Sequence, residues 1–259
     1  MVLNSKRVIV TGGASGVGKE LVKQLLEKGA YVSALDINIE NLKKLKAELN
    51  NDKLFIYQVD VTNDKNIKDF KKDYFKDQPW IDVLINNAGI IQPFINISDL
   101  DINIIEKVMN VNYYGPLKLI KTFINELKER DEAYILNVSS MGGFFPFPGQ
   151  SAYGASKAAL SLLTEGLYSE LLDTNIKVSL VLPGAMATDI AKNSDIEIKE
   201  NNSKEIKMIT ASEAADKIIK VIEKNKFKLY LGNDSKFMNF MYKLNAKAAI
   251  KFITKLMKK

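Results

Sequence analysis

A chain of 259 residues, 46% apolar and 26% charged, has the composition of an ordinary globular protein and is long enough to bury a large core. It contains neither cysteine nor histidine, which excludes disulfides, thiol nucleophiles, any histidine-containing triad and the commonest metal ligand. The net charge of +6 comes with no nucleic-acid-binding motif, and no apolar run approaches the ~20 residues of a membrane-spanning helix. With no signal-peptide pattern before the first strand, the cytoplasm is the expected compartment.

In chain order, β-branched runs predict strands over Arg7–Val10, Tyr31–Leu35, Lys53–Val59, Ile81–Ile85, Ala133–Val138, Ile176–Leu182 and Phe227–Leu231. Helical patterns fill the gaps near Gly16–Lys28, Ile39–Asn50, Asn63–Phe75, Leu100–Leu127, Ala152–Leu172 and Ser212–Asn225. The strands are continuous apolar runs rather than alternating ones, as when both sheet faces are covered. The expected fold class is α/β: a single domain with a doubly wound (Rossmann-type) parallel β-sheet of about seven strands flanked by helices. Such sheets bind ligands at the carboxyl ends of their strands, where the Gly-rich turn, Asp36, Asp60, Asn86, Ser140 and Pro183 fall. The polar segment 191–207 reads as a loop or lid.

Two motifs carry chemistry. Thr11-Gly12-Gly13-Ala14-Ser15-Gly16-Val17-Gly18 joins the first strand to the first helix, so its backbone N–H groups and the helix N-terminus can face a pyrophosphate. Its Gly-x-x-x-Gly-x-Gly spacing differs from Gly-x-Gly-x-x-Gly, and Lys19 follows Gly18 without the ending of a P-loop. Tyr153 and Lys157 stand at i and i+4 in Ser-Ala-Tyr-Gly-Ala-Ser-Lys and share one helix face. A lysine cation one turn away favours the phenolate and draws a tyrosine, ordinarily near ~10, towards working range as an acid/base.

With these motifs the chain resembles the classical short-chain dehydrogenase/reductase family from about Lys6 to about Gly232. The landmarks occur in the family's order: the glycine turn, Asp60-Val61-Thr62, Asn86-Asn87-Ala88-Gly89, Asn112, Ser140, Tyr153 with Lys157, and Pro183-Gly184 followed by Thr188. The resemblance implies an NAD(P)-dependent oxidoreductase that interconverts a secondary alcohol and a ketone by hydride transfer and requires no metal. Its implied catalytic residues are Asn112, Ser140, Tyr153 and Lys157. Tyr153 exchanges the proton, Lys157 lowers the Tyr153 pKa and bonds the nicotinamide ribose, Ser140 stabilises the substrate oxygen, and Asn112 holds a relay water. Ser139 is the runner-up to Ser140, and a helix kink is the other reading of Asn112. The implied cofactor contacts are Gly12, Ser15, Gly16, Val17, Gly18, Asp36, Asp60, Val61, Asn87, Ala88, Gly89, Tyr153, Lys157, Pro183, Gly184 and Thr188. A homodimer or homotetramer is expected by the same resemblance.

Asp36 ends the second strand, where a carboxylate can accept from both adenosine ribose hydroxyls and repel a 2′-phosphate. Ser15 and Ile37 occupy the places where a basic residue would favour the phosphorylated cofactor, so NAD(H) is expected over NADP(H). The competing reading of Asp36 is a residue at the start of a helix, with Asn38 also able to cap, and that of Asp60 is a turn residue. Phe144, Phe145, Pro146, Phe147 and Pro148 lie between Ser140 and Tyr153, and suit either a pocket for a steroid, lipid or retinoid-like substrate or a core or subunit contact. An NAD-binding sensor or scaffold of the same fold is the alternative to an enzyme.

Residues 1–234 read as the dinucleotide-binding catalytic domain and 235–259 as a basic amphipathic helical extension. From Ser235 to Lys259 there are seven lysines and no acidic residue. Lys243, Lys247, Lys251 and Lys255 form one stripe, and Phe237, Met241, Leu244, Ala248, Phe252 and Leu256 another. The stripe pattern fits packing over the substrate mouth or a neighbouring subunit, and also peripheral contact with an anionic membrane.

Overall fold

The computed structural model describes residues 1–187, Ser194 and residues 208–257. The first half alternates β1 (Arg7–Thr11), α1 (Gly16–Glu27), β2 (Tyr31–Asp36), α2 (Ile39–Leu49), β3 (Leu54–Gln58), α3 (Asp64–Asp77) and β4 (Val83–Asn86). Then come α4 (Ile102–Met109), a π-turn over Asn110–Tyr114, α5 (Gly115–Lys128), β5 (Ala133–Val138), α6 (Ser151–Glu170) and β6 (Ile176–Pro183). A short ladder pairs β7 (Met186–Ala187) with β8 (Ile209–Thr210), and α7 (Ala211–Glu223), β9 (Lys228–Leu231), α8 (Asn233–Leu244) and α9 (Ala246–Met257) follow.

Among the described residues, seven strands form one parallel sheet in the order β3-β2-β1-β4-β5-β6-β9. Chain order reverses direction between β1 and β4, so a crevice opens there at the carboxyl ends. Successive side chains of each strand enter opposite layers, as a period of two requires. Val8, Val10, Val83, Ile85, Tyr134 and Leu136 pack with α1, α2 and α7, whereas Ile9, Leu84, Ala133 and Ile135 pack with α3, α5 and α6.

Local chemistry sets several helix starts. The Asn38 side chain accepts from Asn41 N at 3.0 Å, Asn63 accepts from Lys65 and Asn66 N, and Thr210 with Glu213 forms a reciprocal capping box. At the amino end of the sheet, buried Asp82 accepts from Arg7 N at 2.9 Å and Arg130 Nε at 3.1 Å. The Asp82 backbone N also donates to Arg7 O at 3.0 Å and its O accepts from Tyr134 N at 2.9 Å, and β4 begins at Val83 rather than at Ile81.

Two elements differ from their sequence patterns. The helix expected over Leu100–Leu127 is interrupted by the π-turn, whose i→i+5 closure accommodates one extra residue and leaves no trace in a 3.6-residue pattern. The tail is two helices rather than one. Asn245 adopts φ −156° and ψ 97°, ends α8, and caps α9 by accepting from Ala248 N at 3.0 Å. The break separates Lys243 from Lys247, and it changes the buried face. Ala249 and Ile253 are buried against Phe145, with Met238, Met241 and Tyr242 beside them. Phe237, Leu244, Phe252 and Leu256, assigned to an apolar packing stripe by spacing, are instead exposed.

Candidate active site

The glycine turn sits at the crevice between β1 and β4. Ser15 takes the N-cap position of α1, and the first-turn amides of Gly16, Val17 and Gly18 have no intrahelical acceptor by helix geometry. Thr11 Oγ1 accepts from the backbone N of both Asn87 and Ala88 at 3.0 Å, and Asn87 Nδ2 donates to Thr11 O at 3.0 Å. These bonds lock the end of β4 against the turn. Asn86 is buried and donates through Nδ2 to Asn137 Oδ1 at 2.8 Å, tying β4 to β5.

Gly18 makes the arrangement possible. A Cβ there would overlap the Gly12 carbonyl oxygen and lie 2.8 Å from Asn87 Nδ2. The turn and helix N-terminus therefore form a cradle that only a glycine permits, and its first-turn amides, without acceptors in the helix, fit a pyrophosphate. Gly18→Ala is expected to weaken NADH binding about tenfold or more and to lower the melting temperature, on the scale of ~1–3 kcal/mol for overpacking. NADH fluorescence titration and thermal denaturation check this, and wild-type affinity in the variant would count against the cradle.

Asp36 reaches into the same turn. One carboxylate oxygen accepts from Ala14 N at 3.1 Å and the other from Asn38 N at 3.0 Å. Asp36 thus braces the turn while standing half-exposed at the end of β2, and Asn38 is the residue that caps α2. Asp60 Oδ1 accepts from both Thr62 N at 2.8 Å and Thr62 Oγ1 at 2.7 Å, which closes a local turn. Val61 is buried in the layer below the sheet, against Gly115.

Tyr153 and Lys157 lie on the first two turns of α6. The Tyr153 backbone N–H is one of the helix's orphan donors, and Gln92 Oε1 accepts it at 2.8 Å. Gln92 is itself fixed by its Nε2 donating to Gly149 O at 2.9 Å and its backbone O accepting from Gln150 Nε2 at 2.9 Å. Lys157 is buried, and its Nζ donates to Val138 O at 3.1 Å and lies against Gly89. Asn112 sits in the π-turn. Its Oδ1 accepts from Ile90 N at 2.9 Å, and its Nδ2 donates to Ile90 O at 2.9 Å and Ser156 Oγ at 3.0 Å. The kink and the site are therefore one feature: the wide turn aims this amide at the strand end beside Lys157.

Of the two serines after β5, Ser139 is buried and bonds Lys157 O and Ser161 Oγ, both at 2.8 Å. Ser140 faces the other way, as strand alternation requires; its Oγ accepts from Gly142 N at 3.0 Å, and both this hydroxyl and the Tyr153 ring lie against Gly142. Burial raises the Tyr153 pKa above its ordinary value, and the Ser140 hydrogen bond offsets part of that rise. Burial brings Lys157 down to about 8. The sequence pattern has Lys157 as the group that lowers the phenol. In the folded chain desolvation is the dominant influence on both groups, and the lowering contact on the phenol is Ser140.

Pro183 ends β6, and Gly184 N donates to Leu231 O at 2.8 Å. The carboxylate of Asp234 fills the space a side chain at Gly184 would need and accepts from Ala185 N at 2.6 Å. Thr188 lies outside the described residues, as does all of segment 191–207 except Ser194. Of the aromatic loop, Phe145 is a core residue under α9, whereas Phe144 and Phe147 are half-buried beside it. Gln92, Ser156 and Asp234 were not legible as site residues. Gln92 and Asp234 act on distant backbone amides and Ser156 on the distant Asn112 side chain, and no local spacing marks any of them.

The comparisons agree with this geometry. A family model described as short chain dehydrogenase matches residues 6–199. The 3beta-hydroxysteroid dehydrogenase 2 of Eggerthella lenta is 36% identical over 196 residues, 73% of this chain and 74% of that one. A short-chain dehydrogenase of Burkholderia cenocepacia, solved with NADP, is 26% identical at a TM-score of 0.83 and is matched over 98% of this chain and 99% of that one. A short-chain dehydrogenase/reductase of Burkholderia phymatum, solved with NAD, is 21% identical with a TM-score of 0.80 over 88% of this chain and 89% of that one, a likeness of fold. The glycine cradle at the strand switch and these matches lead to one assignment: the chain belongs to the short-chain dehydrogenase family and is an oxidoreductase enzyme of that family.

Proposed function

We propose that this enzyme interconverts a hydrophobic secondary alcohol and its ketone, with NAD(H) preferred over NADP(H) and Tyr153 as the acid/base. The observation that carries the reading is the gathering of the Ser140 hydroxyl and the Tyr153 ring against Gly142, with Lys157 one helical turn on and its Nζ against Gly89, next to the glycine cradle. When bound, the nicotinamide cofactor supplies or takes up the hydride. Tyr153 gives its phenolic proton to the ketone oxygen in reduction and takes the alcohol proton in oxidation. Ser140 donates to the same oxygen and stabilises the charge that develops on it. Lys157 contributes positive charge beside the phenol and, by family resemblance, would hold the nicotinamide ribose. Asn112 keeps the Ile90 backbone beside Lys157, where the resemblance has it seat a relay water.

The cofactor preference rests on Asp36. A carboxylate at the end of β2, with exposed Ile37 rather than a cation beside it, favours ribose hydroxyls and opposes a 2′-phosphate. The substrate class rests on the apolar loop 144–148 beside Ser140, and it accords with the steroid-dehydrogenase name of the Eggerthella lenta relative. The test is turnover of steroid, retinoid, acyl and sugar carbonyls with NADH and with NADPH. Hydrophobic ketones and NADH are expected to give the highest kcat/KM, and Asp36→Ala with Ile37→Arg should raise the NADPH/NADH ratio by roughly 10–10²-fold. A wild-type preference for NADPH, or for sugars, would remove the corresponding part of the reading.

A further inference from the structure

The two C-terminal helices have one face committed and one open. Towards the protein, Ala249, Ile253 and Tyr242 seal the aromatic loop, with the Phe145 and Tyr242 rings 5.5 Å apart. Away from it, Phe237, Phe240, Leu244, Phe252 and Leu256 are 48% to 70% exposed. Isolated exposed apolar residues are ordinary, but five large ones within two short helices form a surface that wants a partner. The same helices carry exposed Lys236, Lys243, Lys247, Lys251 and Lys255, and no acidic residue occurs from Ser235 to Lys259. On α9 the row Lys247, Lys251, Lys255 runs directly beside the row Ala248, Phe252, Leu256. A further apolar edge, Phe94 and Ile95, contacts the other side of the loop at Gly149 and is also exposed.

We propose that α8 and α9 dock the enzyme on the surface of an anionic lipid bilayer. The aromatic and leucine side chains seat at the boundary between headgroups and acyl chains, and the lysines lie against the lipid phosphates. Charge complementarity selects this occupant. Two copies of the chain apposed through this face would bring lysine rows together with no carboxylate in the segment to separate them. An anionic headgroup layer supplies the missing sign over the whole face. Among the described residues no helix is long and apolar enough to cross a membrane, so the contact is peripheral. The docked helices keep their other face on the loop that follows Ser140, so docking leaves that seal in place. Docking goes beyond the proposed reaction and does not depend on turnover.

The test is co-sedimentation of the full chain with vesicles of phosphatidylcholine alone and of phosphatidylcholine with phosphatidylglycerol. Pelleting is expected with the anionic vesicles and is expected to be lost near 1 M salt, where the screening length is ~3 Å. Lys247→Gln with Lys251→Gln and Lys255→Gln should lower partitioning about 10²-fold, from about fivefold per lysine. Phe237→Ser with Phe240→Ser and Phe252→Ser should lower it at least as far while ketone turnover in solution is retained, which shows that the variant is folded. Absence of wild-type pelleting with anionic vesicles overturns the proposal, as does pelleting unchanged in both variants. A wild type that does not pellet, and whose oligomer dissociates in the phenylalanine variant, assigns the face to a second copy and overturns it as well.

Discussion

Tyr153→Phe is expected to lower kcat by ~10² or more while leaving the affinity for NADH unchanged. The substitution removes only the hydroxyl, the group proposed to exchange the proton. The backbone of residue 153 stays anchored through Gln92, and the ring keeps its place over Gly142. Fold and cofactor site should therefore survive. Single-turnover reduction of a ketone, with chemistry rate-limiting, reads the effect directly. Retention of more than about a third of wild-type turnover would show that the proton comes from elsewhere.

Lys157→Met should remove activity to a similar extent and, at neutral pH, make the protein more stable. Lys157 is buried, and burial alone takes its pKa from 10.5 to about 8. The folded state therefore disfavours the ammonium relative to the unfolded chain. Below pH 8 both states carry the charge and the cost is fully present. Between about 8 and 10.5 the folded protein has released the proton and the unfolded chain has not, so wild-type stability gains relative to neutral pH. Above 10.5 both states are neutral and the cost has gone. Methionine has a similar length and no charge, and the lost bond to Val138 O offsets part of the gain, which leaves about 1–3 kcal/mol. Thermal melts at pH 7 should place the variant several degrees above wild type, and melts near pH 10.5 should bring the two together. A variant less stable than wild type at pH 7 would mean that the ammonium is held more favourably than its burial implies.

The sequence carried the layer structure because each strand is a β-branched run with turn residues at its end, and that signal is local. Alternation along the strand also allowed only one of Ser139 and Ser140 to face the cleft, and the family resemblance favoured Ser140. Features that depend on distant contacts were hidden. Nothing near Gln92 marks it as the acceptor for the Tyr153 amide, and nothing near Asp234 marks it as the partner of Ala185. The π-turn was legible only in the helix-kink reading of Asn112, because helical periodicity is read with a fixed pitch and the inserted residue changes the pitch only where Asn112 reaches Ile90. The tail misled in the same way. Its spacing assumed one helix, whereas Asn245 supplies a cap in mid-segment and the shape of the Phe145 site selects Ala249 and Ile253 as the buried pair. The balance between Tyr153 and Lys157 was visible as a pairing, but its sign depends on burial, and burial is a property of the fold.

The seat of α9 on Phe145 also has a consequence for the order in which the molecule is made. The parallel sheet has all its strands once Leu231 has been synthesised, and with them the glycine cradle and the Tyr153 helix. The wall beside Ser140 has to wait for Ala249 and Ile253, about a hundred residues after the phenylalanine they cover. A nascent chain, emerging amino end first, thus completes the cofactor half of its crevice while Phe145 is still uncovered. For that interval the aromatic loop is an apolar surface without its lid, open to chaperones and to neighbouring chains on the same message. The last helix then acts during biogenesis as a closing step, covering Phe145 after the parallel sheet is complete.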